Sequence, residues 1–179
     1  MGSGGSAKTD IIFKLSYNNE IKTFTFSIKN TTRTQVSCHE RTAKDFLNVL
    51  NINQNDTLAK YIIKFQENGG YNKLINDDNF SIHDFHKVYS PYRKKFAEWV
   101  LKGQHEIPGY IKCEEQIATN ILIRNNGNDG EKMFCKNLDK HIDELINIEL
   151  KDNWDVFGWT YPSKGKGERI QLKLILKYF

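Results

Sequence analysis

The chain has 179 residues, enough for one domain with a single hydrophobic core, and its formal net charge is +4. No apolar run approaches the roughly 18 residues of a membrane span, and the opening residues MGSGGSAKTD lack the apolar core of a secretory signal. We therefore expect a cytoplasmic protein without a membrane partner, and the mild positive charge is compatible with a nucleic-acid partner without demonstrating one.

Residues 7–32, AKTDIIFKLSYNNEIKTFTFSIKNTT, alternate apolar and polar side chains with a period of two. This pattern is typical of two half-buried strands. Asparagine tolerates the positive φ that a tight hairpin turn needs, so we place Asn18 and Asn19 in a two-residue loop.

That register sets Asp10 opposite Ser27, with Lys29 on the diagonal about 5–8 Å away. An exposed lysine–carboxylate salt bridge, which is common and individually weak, is one interpretation. A Mg²⁺ site is the other, because Mg²⁺ prefers carboxylate oxygen together with water and phosphate. A neighbouring lysine would then stabilise developing charge and orient an attacking water. The hairpin alone leaves both interpretations open.

The middle of the chain predicts helices. Residues 39–52 and 55–70 each carry one apolar face, and Gly69–Gly70 ends the second helix. Residues 81–103 predict two helical pieces, with Ser81 capping the first and a proline at position 91 opening the second.

The last third of the chain predicts strands around one helix. Residues 115–137 indicate a strand, a Gly/Asn-rich turn and a second strand, and residues 137–149 indicate an amphipathic helix. Residues 154–179 indicate a strand or loop, a basic glycine-rich turn and a final strand whose apolar side chains are Ile170, Leu172, Leu174 and Leu176. The order of strands, helices and strands, without a repeat or linker, predicts a mixed α/β fold.

The basic turn and the start of the final strand, TYPSKGKGERIQLK, form a second informative cluster. It lacks the GxxxxGK[ST] pattern of a phosphate-binding P-loop. Lys, Arg and Gln donate to base edges, while Ser, Thr and Tyr suit bases or phosphates. A solvated hairpin turn with ordinary surface lysines accounts for the loop equally well. Its candidate residues are Thr160, Tyr161, Ser163, Lys164, Lys166, Arg169, Gln171 and Lys173.

The cysteines and histidines do not predict a metal centre. Cys38, Cys113 and Cys135 form no Cys-x-x-Cys pair and leave an odd number, which favours reduced thiols with a structural role. His83 and His86 lie three residues apart, but no cysteine or further clustered histidine completes a zinc site.

Taken together, these stretches resemble the MspI family of type II restriction endonucleases, within the PD-(D/E)xK nuclease class. The matching stretches follow one order over nearly the whole chain: GGSAKTD, SIKNTT with the VS after it, PYRKKFAEWV, ILIR and WTYPSKGKGERIQLK. The resemblance favours the catalytic interpretation of the hairpin over a surface salt bridge. It implies a single nuclease domain over residues 1–179, with a central mixed sheet flanked by helices.

The resemblance implies a Mg²⁺-dependent enzyme that cuts double-stranded DNA at a short palindrome, with CCGG as the candidate site. Asp10 would be the metal-binding carboxylate, and Lys29 would lie beside the scissile phosphate and the attacking water. Ser27 stands where the class usually has Asp or Glu and where the family has Asn, and serine is a weaker metal ligand. Glu40, on the helix expected after the hairpin, is the candidate that compensates; a helix N-terminal glutamate favoured by the macrodipole is the alternative.

Base reading would fall to residues at matching positions, and phosphate binding to basic residues where spacing or residue type departs from the family. The candidate base readers are Thr160, Tyr161, Ser163, Gln171 and Lys173, with Ser37 as a weaker candidate near the active site. The candidate phosphate binders are Lys164, Lys166 and Arg169.

The family also has a largely helical segment upstream of the hairpin. Met1 lies only a few residues before the motif, so we expect that segment to be absent, in a short relative or in a fragment. A DNA-binding module or inactive nuclease remnant is therefore a competing hypothesis, and a repair or structure-selective nuclease is another. The expected partners are double-stranded DNA, bound by a monomer or a homodimer, and a DNA methyltransferase in the host.

Overall fold

A computed structural model describes residues 8–68, 70–74, 76, 80–103, 114–127, 130–151, 153–162, 164 and 166–179. The strands are β1 (Ile11–Tyr17), β2 (Glu20–Thr31), β3 (Gln35–Arg41), β4 (Asn120–Gly127), β5 (Gly130–Asn137), β6 (Phe157–Thr160) and β7 (Ile170–Ile175). The helices are α1 (Ala43–Leu50), α2 (Thr57–Asn68), α3 (Tyr71–Leu74), α4 (Ile82–Tyr89), α5 (Arg93–Lys102) and α6 (Leu138–Ile146). Among these helices, none combines the length and apolar character that a membrane span requires.

The strands form two sheets. The first has the order β1-β2-β4-β5 and is mixed, because β2 and β4 run parallel while the outer pairs are antiparallel. The second has the order β3-β7-β6 and is antiparallel throughout. The predicted mixed α/β class with helices beside a mixed sheet is confirmed, and the second sheet is an addition to it.

The β1–β2 hairpin has the predicted register. Asn18 and Asn19 form the loop with φ of 48° and 64°, and Ile11 pairs with Phe26 at the open end. Two successive positive φ values define the turn type whose twist matches that of paired strands, which explains the Asn-Asn sequence.

The prediction of two half-buried strands is wrong for β1, whose side chains are all exposed, while in β2 the buried side chains are hydroxyl-bearing rather than apolar. Phe13 of β1 is 53% exposed, whereas Thr25 and Ser27 of β2 are 3% and 1% exposed. Parallel pairing sets Ser27 beside Ile121 of β4, which is 1% exposed, so the inner face of this sheet carries hydroxyl groups next to aliphatic ones. Because β1 is an edge strand, its outward side chains have no neighbouring layer among the described residues.

The hydrophobic core lies between the second sheet and the helices. Trp159 of β6 is half-buried and packs against this core, with ring centroids 5.5 Å from Phe46 of α1, 5.4 Å from Phe65 of α2 and 5.5 Å from Phe96 of α5. The inward side chains of β7, which are the predicted Ile170, Leu172 and Leu174, are fully buried. This packing holds β6 and β7 rigidly against the helical layer.

Helix boundaries follow local capping. Thr42 caps α1 and forms a capping box with Asp45, so the helix begins at Ala43. The predicted helix over 39–52 therefore begins too early, because residues up to Arg41 belong to β3. The Ser81 hydroxyl accepts from the Asp84 amide at 3.2 Å, which confirms the predicted start of α4.

The predicted end of the second helix at two glycines is described only in part. Gly70 follows α2 with φ of 109°, and its amide donates to the Phe65 carbonyl at 3.3 Å. Gly69 lies outside the described residues. A positive φ at this position favours glycine and directs the chain away from the helix.

Candidate active site and DNA-reading face

The open end of the β1–β2 hairpin brings the three predicted catalytic residues together. Asp10 precedes β1, and its amide donates to the Phe26 carbonyl at 2.8 Å, which fixes the carboxylate beside β2. Its Oδ2 atom lies 3.4 Å from the Ser27 hydroxyl and 3.9 Å from Lys29 Nζ. The predicted juxtaposition is therefore present in the folded chain.

The main chain makes the shortest contact with this carboxylate. The Ile28 amide donates to Asp10 Oδ2 at 2.6 Å, which holds the carboxylate more firmly than the distant Ser27 hydroxyl does. The Asp10 side chain is 48% exposed and the Lys29 side chain 24% exposed, so both are accessible from solvent. Ser27, by contrast, is buried below them.

The donor set is compatible with one Mg²⁺ ion. Among the described residues, the contacts of Asp10 all involve Oδ2, which leaves Oδ1 for a cation. The same residues hold no group of three or more His, Cys, Asp or Glu side chains that could bind a metal alone. A single carboxylate suits Mg²⁺, which keeps several waters and takes further oxygens from a substrate phosphate.

Lys8, a half-buried cation next to the group formed by Asp10, Ser27 and Lys29, was not predicted from the sequence. Its ammonium donates to the Cys38 carbonyl at 2.5 Å. Burial lowers the pKa of the Lys8 ammonium to about 8; the Cys38 thiol raises it, and Lys29 and Arg41 lower it further. Lys8, Lys29 and Arg41 give this end of the hairpin a positive potential that suits a phosphodiester.

Glu40 does not lie on a helix, and the prediction that placed it there is wrong. It belongs to β3, where it pairs with Gln171 of β7, and its carboxylate forms an ion pair with Arg169 at 3.2 Å. The predicted helix failed because the strand sequence QVSCHER has few apolar residues and pairs with a segment about 130 residues later. The prediction that Glu40 helps to bind the metal was based on a helix directly after the hairpin. Because Glu40 lies in β3 instead, that geometric basis is lost.

The outward face of the second sheet collects most of the predicted base readers. Gln171 pairs with Thr160 on one side and Glu40 on the other, which forms one row across the sheet. In the next row Lys173 pairs with Ser37 and with a glycine of β6. Because neighbours in a row point to the same face, these polar groups form a continuous surface, the reading face, defined as Ser37, Glu40, Thr160, Gln171 and Lys173.

Tyr161 is anchored inside the protein. Its hydroxyl donates to the carbonyls of Phe65 and Gln66 at the end of α2, the second at 3.2 Å. Its ring stacks on that of Phe65 at a centroid distance of 5.6 Å. A base contact from Tyr161 therefore requires its main chain, while its side chain fixes the loop.

The basic residues of the loop are placed differently from one another. Lys164 and Lys166 are exposed, as expected of phosphate binders. Arg169 is exposed as well, although its guanidinium is held by Glu40. Ser163 lies outside the described residues.

A buried carboxylate that sequence analysis missed holds the start of the loop. Asp155 is 4% exposed and accepts from Trp159 Nε1 at 2.9 Å, the Tyr89 hydroxyl at 3.0 Å and the Val156 amide at 2.7 Å. Burial raises the pKa of Asp155 to about 6, and the three donors and Arg93 partly oppose that rise. Asp155 thereby ties β6 to α4 directly ahead of Thr160.

The arginine of the PYRKKFAEWV stretch has a structural position. Arg93 donates to the carbonyls of Leu145 at 3.0 Å and Ile148 at 3.1 Å, at the end of α6. A cation at this end of a helix satisfies carbonyls that lack partners within the helix.

Among the described cysteines, Cys38 is buried and Cys135 exposed, and both are free.

Comparisons with known proteins agree with this geometry. The family model described as restriction endonuclease MspI matches residues 1–174. The chain is 26% identical over 175 residues to the type II restriction enzyme BsuFI of Bacillus subtilis, which covers 97% of this chain and 41% of that enzyme. Its fold matches the crystal structure of the restriction endonuclease MspI in complex with its cognate DNA, with a TM-score of 0.77 and 20% identity.

Each match includes nearly all of this chain but only part of the relative. The structural match includes 95% of this chain and 64% of the MspI chain. This chain thus spans less than two thirds of the length of BsuFI and of the crystallised MspI.

Proposed function

The chain belongs to the family of the restriction endonuclease MspI, and we propose that it is a Mg²⁺-dependent type II restriction endonuclease. It would hydrolyse double-stranded DNA at a short palindrome, with CCGG as the candidate site. The observation that carries this proposal is the grouping of Asp10, Ser27 and Lys29 at the open end of the hairpin.

Each residue has a defined task in the proposed reaction. Asp10, held by the Ile28 amide, presents Oδ1 to the metal ion. Lys29 lies beside the scissile phosphate, where its ammonium stabilises the extra negative charge of the transition state and orients the attacking water. When bound, Mg²⁺ supplies Lewis-acid neutralisation of the phosphate oxygens.

The proposed bond changes follow from in-line attack. Water adds its oxygen to phosphorus and loses one proton, and the bond between phosphorus and the 3′ oxygen breaks. The 3′ oxygen takes up a proton, so that the products are a 3′-hydroxyl and a 5′-phosphate. Lys8 and Arg41 add positive potential around the same phosphodiester.

The reading face would contact base edges in this proposal. Lys173 and Gln171 are suited to donate to acceptors in the major groove, and Thr160 and Ser37 contact bases or phosphates through hydroxyl groups. Ser163 belongs to the same proposed set. Lys164, Lys166 and, after release from Glu40, Arg169 would bind phosphates.

We also propose that residues 1–179 act as one nuclease domain in the cytoplasm, bound to DNA as a monomer or homodimer. A host DNA methyltransferase that protects the same site would accompany it. Glu40 retains a proposed role within the reading face, through its pair with Arg169.

A DNA-binding module without cleavage is the second candidate function. Ser27 favours it, because the site contains one carboxylate where the nuclease class usually has two acidic groups. A serine hydroxyl 3.4 Å from Asp10 contributes little to metal affinity.

Digestion of unmethylated plasmid DNA with Mg²⁺ or Mn²⁺, followed by sequencing of the fragment ends, tests the proposal. We expect discrete fragments that end within one short palindrome, and EDTA should abolish them. Cleavage without a fixed site would indicate a structure-selective nuclease. Folded protein that binds a CCGG duplex but cuts in neither metal would favour the binding module.

A further inference from the structure

Lys8 is attached to three separate parts of the protein. Its amide donates to the Gln116 carbonyl at 3.1 Å, just ahead of β4. Its ammonium donates to the Cys38 carbonyl of β3, which belongs to the other sheet. Its aliphatic stem passes over Gly103, the residue that ends α5 with φ of 77°.

The contact with Gly103 is tight. A Cβ atom at that position would lie 2.6 Å from Lys8 Cγ and 3.3 Å from Lys8 Cβ. Glycine is therefore required there both by the positive φ and by the passage of the lysine stem. The stem is thereby confined on the path that leads its ammonium to β3.

The acceptor of this ammonium lies at an irregularity in β3. The β3–β7 register passes from Ser37–Lys173 to His39–Leu172, so Cys38 is the extra residue of a β-bulge. A bulge leaves its extra residue outside the regular ladder, which makes the Cys38 carbonyl available to a donor from elsewhere. The Lys8 ammonium fills that position.

The two ends of this contact adjoin the two parts of the proposed site. Lys8 lies two residues before Asp10, whose own amide is fixed on β2. Cys38 directly follows Ser37, which pairs with Lys173 in the reading face. A displacement of the reading strands would therefore reach the proposed metal-binding carboxylate through one hydrogen bond and the two residues that lead from Lys8 to Asp10.

We propose that Lys8 is a positioning residue that couples base reading to the placement of Asp10. Its ammonium holds the start of the catalytic hairpin against the bulge of β3, so that the carboxylate is correctly placed when Ser37 and Lys173 engage the right bases. This inference rests on the proposed endonuclease function. The inference concerns the hydrogen bond from the Lys8 ammonium to the Cys38 carbonyl, which links the start of the hairpin to the second sheet.

Amide hydrogen exchange tests the link itself, with or without DNA cleavage. In Lys8→Met we expect exchange at least 10-fold faster at the Asp10 amide and at residues 37–39, with no change at Ile121 and Ile123 in the centre of the first sheet. Lys14→Met is the matched control, because Lys14 is an exposed lysine of β1 paired with Glu115. It should leave all these amides unchanged.

Cleavage kinetics test the consequence of the link. At the mapped site, Lys8→Met should cut at least 10-fold more slowly than the wild type under single-turnover conditions, with DNA affinity lowered by no more than about 3-fold, the part that the positive charge of Lys8 supplies. At a site with one altered base the loss should be smaller, so that discrimination between the two sites falls. Lys8→Arg, which keeps the cation, should recover part of both losses.

The outcomes separate the two proposals. Wild-type protein that cuts no DNA would overturn the proposed function, while the exchange measurement would still decide the role of Lys8. If Lys8→Met does not fold, the same exchange measurement is made on Lys8→Gln, which keeps an N–H donor with shorter reach. A folded variant with wild-type exchange at Asp10 and at residues 37–39, or with unchanged discrimination, would overturn the role of Lys8.

Discussion

The two sheets of this protein differ in the kind of side chain that they bury and in the kind that they expose. The hairpin of the first sheet is exposed on its outer face, and its inner face places polar groups such as Thr25 and Ser27 where apolar ones are usual. The second sheet packs β6 and β7 on an aromatic core and turns a polar face outward. In the proposed function, the catalytic residues lie on a hairpin whose register is specified locally, and the base-reading residues lie on a surface whose position depends on the core.

The largest expected difference between the sheets concerns aromatic side chains. Trp159→Ala should lower the free energy of unfolding by about 3 kcal/mol or more, because the ring packs on three core aromatics and its Nε1 donates to Asp155. Urea denaturation measures this loss. A loss under 1 kcal/mol would mean that β6 is not held by the core.

The buried carboxylate under β6 should give the second sheet a pH-dependent stability. Since the pKa of Asp155 is raised to about 6 in the folded chain, the folded state favours the protonated form. Its contribution is fully present below about pH 4 and is lost as the pH rises through 6, with a magnitude on the order of 3 kcal/mol.

Asp155→Asn should remove that part of the pH dependence. Comparison of wild type and variant by urea denaturation between pH 4.5 and 8 isolates it from other titrating groups. The variant should also be less stable at low pH, because an amide whose oxygen accepts from Tyr89 and Trp159 turns its NH2 group toward the Val156 amide, which is itself a donor. Parallel pH profiles for the two proteins would contradict this assignment.

A smaller effect is expected at the serine of the catalytic hairpin. Ser27→Ala should slow cleavage by less than about 10-fold, because the hydroxyl is 3.4 Å from Asp10 while the Ile28 amide holds the carboxylate at 2.6 Å. Single-turnover cleavage measures it, with Ser16→Ala, an exposed serine of β1, as control. A loss beyond 100-fold would make Ser27 a direct participant in metal binding.

The smallest effect is expected on the outer face of the first sheet. Phe13 is 53% exposed, and Phe13→Thr should change the free energy of unfolding by no more than about 0.5 kcal/mol. Threonine keeps the strand preference of the position. A loss above 2 kcal/mol would show that this face is covered in the folded protein.

The sequence features that led to correct predictions are local or carried by family motifs. The Asn18–Asn19 turn specified the hairpin register within a few residues, and Ser81 specified the start of α4. The family resemblance based on five ordered stretches is confirmed by the match of the family model over residues 1–174. The mixed α/β fold is confirmed as well.

The features that escaped prediction depend on distant pairing. The β3 strand pairs with β7 over more than a hundred residues, so Glu40 was assigned to a helix. Lys8, which is half-buried, and Asp155, which is buried, are single charged residues whose surroundings are set by the packing of separate elements. The buried face of β2 escaped prediction because it carries Thr25 and Ser27 at positions where binary patterning places apolar side chains.

The central proposal is that the first sheet carries catalysis and the second carries base reading. It is tested most directly by measuring DNA cleavage and DNA binding of Lys29→Ala and Lys173→Ala side by side. Lys29→Ala should lose cleavage by 1000-fold or more at saturating metal while it binds the mapped site with nearly wild-type affinity. Lys173→Ala should lose preference for that site. Cleavage by Lys29→Ala at a rate close to the wild type would contradict the assignment of the hairpin as the catalytic centre.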